Sequence, residues 1–252
     1  MLNFNELKDF LDTKAEQYNN PAFIESDPIQ IPHQFTKKED IEISAFLVAT
    51  IAWGNRKSII TNGQKLVQLM GNQPHEFVLN YKSSSDHKFV HRTFNSIDLD
   101  FFFQSLQELY IQGNGLESAF NSHPEIPEIK GRITQFRTKF LNVEHQKRSE
   151  KHISNPLKGA SAKRINMFLR WMVRKDNKGV DFGLWQNIPM AELMIPLDVH
   201  TGNIARKLGI LERAKNDWTA LEELQKTLIK LDPIDPVKYD FALFGLGAFE
   251  KF

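Results

Sequence analysis

A chain of 252 residues with 41% hydrophobic side chains can bury the core of one large domain or two lobes, and no stretch reaches the roughly 18 consecutive apolar residues of a membrane span. Zero cysteines exclude disulfides, cysteine-ligated zinc and iron–sulfur clusters, so any chemistry is expected to be cofactor-free. The formal net charge of +1 hides an asymmetry: from Lys130 to Lys178 there are 14 Lys and Arg against Glu144, Glu150 and Asp176, net +11 there and −10 elsewhere. Such a basic stripe is either the footprint of a phosphate backbone or a solvated helix face.

The N-terminus, MLNFNELKDFLDTKAEQ, reads as an amphipathic helix over residues 1–18 with Phe4, Leu7, Phe10 and Leu11 on one face, not as a signal peptide. A cytoplasmic protein is expected. Asn19 to Lys38 holds three prolines and little periodicity and reads as a connecting segment. From Glu39, Ile41, Ala45, Val48, Ala49 and Ala52 recur at helical spacing up to Trp53-Gly54-Asn55-Arg56, and a second helix follows over Lys57–Met70. The plain reading of that junction is a Gly54 cap, an exposed polar turn and a core Trp53.

Pro74 opens a short helix through Phe77 and Leu79, and Ser83 to Asp86 reads as a turn. Ser96 is expected to cap a helix through Ile97, Phe101, Leu106 and Leu109, ended by Gly113 or Gly115. Phe101, Phe102 and Phe103 span too wide an arc to be all core, so Phe102 and Phe103 are expected to pack between lobes. A helix over Glu125–Val143, the polar and basic His145–His152 and the Ser154-Asn155-Pro156 breaker come next.

Gly159-Ala160-Ser161-Ala162-Lys163 reads as a tight turn opening a helix with Ile165, Phe168, Leu169 and Met172 at helical spacing. Gly159 permits a positive φ, Ser161 is the expected cap, and free amides there favour an anion such as a DNA phosphate. After a long insert, Lys175 to Ile195, Pro196-Leu197-Asp198-Val199-His200-Thr201 opens a helix carrying Ile204, Ala205 and Leu208 and closed by Gly209, with Asp198 as N-cap. Asn216 or Asp217 caps a helix over Trp218–Leu231 with Leu221, Leu224, Leu228 and Leu231 as its apolar stripe. Asp235 and Pro236 start the last helix, which carries Asp240, Phe241, Phe244 and Phe249 past two glycines that allow close backbone approach. With no alternating strand pattern, the fold class is all-α.

The pairing of the Gly159–Lys163 turn with the PLDVHTGNIARKLG block resembles the helix-hairpin-helix superfamily of DNA glycosylases, over about the last hundred residues. KRINMFLRWMVR, PLDVH and YDFALFGLG are similar to the hallmark of a bacterial group of uncharacterised helical proteins of DUF2400 type, which in turn looks like the archaeal 8-oxoguanine glycosylase/lyase branch. The resemblance implies two helical lobes with a cleft between them: a helical-barrel lobe at 38–158, and a second lobe of 1–37 plus 159–252 holding the hairpin element at 153–174 and the aspartate motif at 196–209. It implies base-excision repair of double-stranded DNA carrying an oxidised purine, with Lys163 as nucleophile and Schiff-base former and Asp198 as its acid partner. By the same resemblance Lys158, Gly159, Ser161, Arg164, His200, Asn55 and Arg56 grip DNA, and Trp53, Asp240 and Phe244 line the base pocket. No metal or cofactor is implied, and a nucleoid-associated monomer is expected.

Two departures stand out: Ser161 replaces the second hairpin glycine, and Lys163 and Asp198 are 35 residues apart. Taken singly, Lys163 reads as a surface lysine at a helix start and Asp198 as a plain cap. Phe244 and Asp240 read equally as core. His200 lacks a second set of residues at metal-ligand spacing. The alternative to a glycosylase is a non-catalytic helix-hairpin-helix DNA-binding protein.

Overall fold

The computed structural model describes residues 2–84, 87–250 and 252, so the Ser85-Asp86 half of the Ser83–Asp86 turn lies outside the described residues. The chain divides into two compact units: Ser26–Asn155, and Met1–Glu25 together with Pro156–Phe252.

The first helix, α1 (Phe4–Tyr18), starts at Asn3, whose side chain accepts the Glu6 amide while Glu6 reaches back to the Asn3 amide. Residues 19–38 hold more structure than a connector: α2 (Ala22–Ser26) is followed by 3-10 turns at Pro28–Gln30 and Pro32–Gln34. Ile29 and Ile31 there are buried, and Ile31 lies against Gly63, which is why 26–37 belongs with the Ser26–Asn155 unit and not with the chain termini as the sequence suggested.

That unit is built around α3 (Lys38–Thr50), in which every residue from Ile41 to Thr50 is buried. A helix buried all round belongs to an interior, and Phe46 is its centre, stacked on Phe102 and edge-on to Phe136 and Phe140. Packed about it are α4 (Arg56–Leu69), α5 (Pro74–Leu79), α6 (Ser96–Ile111), α7 (Gly115–Ala119) and α8 (Glu128–Phe140). A two-residue antiparallel hairpin, β1 (Val90–His91) and β2 (Phe94–Asn95), qualifies the all-α expectation; it is too short for period-two alternation to register in the sequence.

Two further expectations are corrected in this unit. The cap of α6 is Asn95, whose Oδ1 accepts the Ile97 and Asp98 amides while Asp98 returns a bond to the Asn95 amide, so Ser96 is already helical. Phe101, Phe102 and Phe103 are all buried within this unit. Phe102 meets Phe46, Phe94 and Phe140, and Phe103 meets Phe77 and Tyr81, because α6 is covered on more of its circumference than an amphipathic surface helix.

In the other unit, α9 (Lys163–Val173) buries Ile165, Phe168, Leu169 and Met172, as its spacing predicts. The insert after it forms no α-helix but folds back, the Phe182 and Trp185 amides donating to the last carbonyls of α9, those of Trp171 and Met172, at 2.8 and 2.9 Å. Then follow α10 (Val199–Lys207), α11 (Trp218–Leu231) and α12 (Tyr239–Gly245), which ends in a π-helical turn at Leu246–Glu250. Both glycines of the last helix serve close approach: a Cβ on Gly245 would run into the Tyr18 ring of α1, and one on Gly247 would come within 2.9 Å of His200. Asp235 stands at the N-cap position before Pro236 as expected, but its side chain makes no capping bond and its carboxylate receives Arg174.

Candidate active site

Lys163 is presented by a turn fastened at both ends. The Gly159 carbonyl accepts the Trp218 amide at 2.9 Å and Ala160 bridges Asp217, which ties the turn to the start of α11. Gly159 has φ +83° as expected, but the residue that takes the left-handed conformation directly before the helix is Ala162, at φ +50°. Ser161 does not cap α9. Its carbonyl instead accepts the Asn166 side-chain amide at 2.9 Å, and Ala162 as N-cap offers no side-chain acceptor. The N-cap of α9 thus gives no side-chain acceptor to the start of a helix whose first residues are Lys163 and Arg164, with exposed Lys158 just before the turn. Lys163 and Arg164 are half-buried, and burial pushes Arg164 down to about 10.

Asp198 is the N-cap of α10, its Oδ1 accepting the Thr201 amide at 2.9 Å. Its carbonyl is held by Asn216 Nδ2 at 2.8 Å, and Asn216 in turn receives Arg206 at 2.6 Å, so the mouth of α10 is rigidly placed. Asp198 remains half-buried, and a carboxylate suits that end of the helix. In the first turn of α10, exposed His200 lies edge-on to Phe244, which is half-buried and also meets Phe23 and Phe249.

Behind these groups lies a chain of buried charges. Asp240, 6% exposed, receives Arg170 Nη1; Arg170 Nε donates to Asp181 at 3.2 Å. Arg174 donates to the same Asp181 at 3.1 Å, and pairs with Asp235 and Asp176 at 2.8 Å each. Both guanidinium groups lie over the Phe241 ring, at 4.5 and 5.3 Å from its centre. Burial pushes the Asp240 carboxyl up to about 7; Arg170 and Lys163 pull against that, while Asp198 and Asp181 add to it. Lys163, Asp198 and Asp240 all lie inside the unit formed by Met1–Glu25 and Pro156–Phe252. Sequence reasoning missed Arg170, Arg174 and Asp181. The signal was present in the two arginines four residues apart in FLRWMVR, an otherwise apolar run.

The remaining site residues form a second set, in the Ser26–Asn155 unit. Asn55 is exposed and caps α4, its side chain accepting the Ser58 amide at 3.2 Å, with Arg56 half-buried beside it. Trp53 is half-buried, not core. It lies edge-on to His91 at 5.0 Å and stacked on His152 at 6.0 Å, with His91 Nε2 donating to its carbonyl at 3.2 Å. Gly54, at φ +97°, leaves room for the Arg92 side chain.

The family model described as "Protein of unknown function (DUF2400)" matches residues 27–249. The chain belongs to the DUF2400 family. No curated protein and no solved structure matches it. The matched span covers both sets of site residues, from Trp53 to Phe244, as well as the buried charge chain.

In this DUF2400 chain the basic stretch 130–178 is not a continuous outward stripe. It is divided between the units, and much of its charge is neutralised internally: Arg137 pairs with Glu150 at 2.7 Å, Arg148 with Asp98 at 2.8 Å, and Arg170 and Arg174 with the buried aspartates. Counting charges along the sequence hid this because Asp98, Asp181, Asp235 and Asp240 all lie outside that stretch. Lys147, Lys151, Lys158 and Lys175 remain exposed. Among the described residues no three His, Cys, Asp or Glu side chains form a set that could hold a metal ion, and no helix is long and apolar enough to cross a membrane.

Proposed function

We propose that this DUF2400 chain is a helix-hairpin-helix type DNA glycosylase with AP-lyase activity, acting on an oxidised purine of the 8-oxoguanine kind. The reading is carried by one observation: Lys163 stands at the mouth of α9 and Asp198, distant in sequence, caps the mouth of α10 within the same compact unit. A nucleophilic lysine attacks through its free amine, and Lys163 is half-buried, with Arg164 next to it in sequence. Its amine attacks C1′ of the damaged nucleotide as the glycosidic bond breaks and the base departs. Loss of the second amine proton and opening of the sugar ring give a Schiff base, from which β-elimination expels the 3′ phosphate. Asp198, fixed by its capping bond, stabilises the cationic sugar as the base leaves.

The start of α9, a helix mouth with Lys158 and Arg164 close in sequence, is suited to an anion such as a DNA phosphate. The partly exposed rings of His200 and Phe244, and Trp53 in the other unit, are suited to stacking on a nucleobase.

The test is borohydride trapping on duplex oligonucleotides carrying 8-oxoguanine or an abasic site. A covalent adduct is expected with the wild-type chain and none with Lys163→Ala. Absence of an adduct on both substrates overturns the enzymatic reading, and salt-dependent duplex binding in that case would identify a non-catalytic DNA-binding module.

A further inference from the structure

Arg92, in the turn of the β1–β2 hairpin, takes no part in the proposed chemistry. It is the first of the two residues joining the strands and has φ +55°, a conformation that glycine adopts freely and arginine does not. Its side chain is exposed, yet it lies along the chain: a Cβ on Gly54 would stand 2.6 Å from Arg92 Nη1 and 3.3 Å from its Cδ. Gly54 is thus a seat for the guanidinium, directly after the half-buried Trp53. Among the described residues Arg92 has neither a carboxylate nor a hydrogen-bond partner. The hairpin is held on both sides. His91 donates from Nε2 to the Trp53 carbonyl at 3.2 Å, and its Nδ1 accepts Asn62 Nδ2 at 2.8 Å. Arg148 donates to the Thr93 carbonyl and to Asn95 Oδ1, both at 3.0 Å. Arg148 belongs to a 3-10 turn, Lys147–His152, whose Lys147 and Lys151 are exposed, as is Lys57 in the first turn of α4. Of the acids bonded into this framework, Asp98 is taken by Arg148 and Ser149, and Glu150 by Arg137.

We propose that this hairpin face is a nucleic-acid surface of the Ser26–Asn155 unit, in which Arg92, seated on Gly54, takes one backbone phosphate of a DNA strand. A guanidinium offers a planar fork matched to two phosphate oxygens, and one already laid in place loses less freedom on binding. A left-handed turn residue with a Cβ costs stability, and such strain persists where a ligand contact repays it. An acidic peptide would use the charge and leave the Trp53 ring idle, whereas a nucleotide strand brings both a phosphate and a base face. The choice of DNA rests on the glycosylase reading, but the contact itself needs no turnover.

The experiment is fluorescence anisotropy of a fluorescein-labelled, undamaged DNA duplex titrated with the full chain between about 50 and 200 mM salt. Arg92→Ala should weaken binding about fivefold and lower the slope of log Kd against log salt by about 0.9, the signature of one lost phosphate contact. Arg92→Lys should keep the slope and recover only part of the affinity, because an ammonium cannot fork. Lys226→Ala, which removes an exposed charge from α11, should change neither. Arg92→Gly should bind as weakly as Arg92→Ala while raising the urea midpoint, since glycine relieves the turn, so a folding defect cannot explain the loss. Arg92 variants with the wild-type affinity and slope overturn the proposal. So does full displacement of the duplex by poly-glutamate at equal charge, which would mark a face for acidic polypeptides. A wild-type chain that does not bind the duplex overturns both readings. A lowered slope without any borohydride adduct defeats the glycosylase reading alone; an adduct with unaltered binding by the Arg92 variants defeats the Arg92 contact alone.

Discussion

The Asn166 side-chain amide donates to the Ser161 carbonyl at 2.9 Å and so closes, from inside the helix, the turn that ends in Lys163. This bond does the work a glycine-rich hairpin would do with backbone freedom, and it holds Ala162 in the left-handed region. Ala162→Gly is expected to stabilise the chain by about 1 kcal/mol, the cost of that conformation for a residue with a Cβ. Asn166→Asp, which cannot donate and is 1% exposed, should destabilise by roughly 2 kcal/mol. Urea midpoints at constant m-value measure both.

Asp198 serves as a cap whatever else it does, and substitutions separate the two roles. Asp198→Ala should cost about 1 kcal/mol in stability, whereas Asp198→Asn, which still accepts the Thr201 amide, should fall within a few tenths of the wild type. If the acid also stabilises a cationic sugar, both variants lose borohydride trapping. Trapping by Asp198→Asn at the wild-type rate would leave the residue a cap only.

Two glycines of the same unit should fail for different reasons. Gly159 has φ +83° and nothing near its missing Cβ, so Gly159→Ala should cost about 1 kcal/mol through the backbone alone. Gly245 meets the Tyr18 ring, so Gly245→Ala should cost about 1–3 kcal/mol through packing. Adding Tyr18→Ala should shrink the second penalty and leave the first unchanged, which a double-mutant cycle resolves.

Asp98 supplies the pH prediction. Burial works to raise its carboxyl, but bonds from His152, Ser149 and the Asn95 amide prevail and hold it near 2. A carboxyl held below its unfolded value gives stability that is present above that value, near 4, and lost as pH falls towards 2. Asp98→Asn should therefore remove roughly 2 kcal/mol at neutral pH and progressively less in acid. Denaturation at pH 7, 4 and 2.5 checks this; a penalty independent of pH would refute it.

Where local chemistry decides, the sequence was a sound guide. Asp217 and Asp198 begin their helices because an acid that accepts its own following amides needs no distant partner. The leucines of Trp218–Leu231 and the apolar positions of α9 face inward because periodicity fixes a helical face. Where two neighbours were both able to cap, Asn95 prevailed over Ser96 because Asp98 completes the reciprocal pair. Asp235 precedes Pro236 at the start of the last segment as expected, but the partner of its carboxylate, Arg174, lies 61 residues away and left no local signal.

From the sequence alone came the helical class, the helix mouths at Lys163 and Asp198, and the glycines of the last helix, all properties set within a few residues of the chain. Tertiary structure decided which charges meet: it turned Arg170 and Arg174 inward onto Asp181, Asp235 and Asp240, and dispersed the apparent basic stripe. The physical reason is that a charge's partner is chosen by distance in space and by local burial, and neither can be read from separation along the chain.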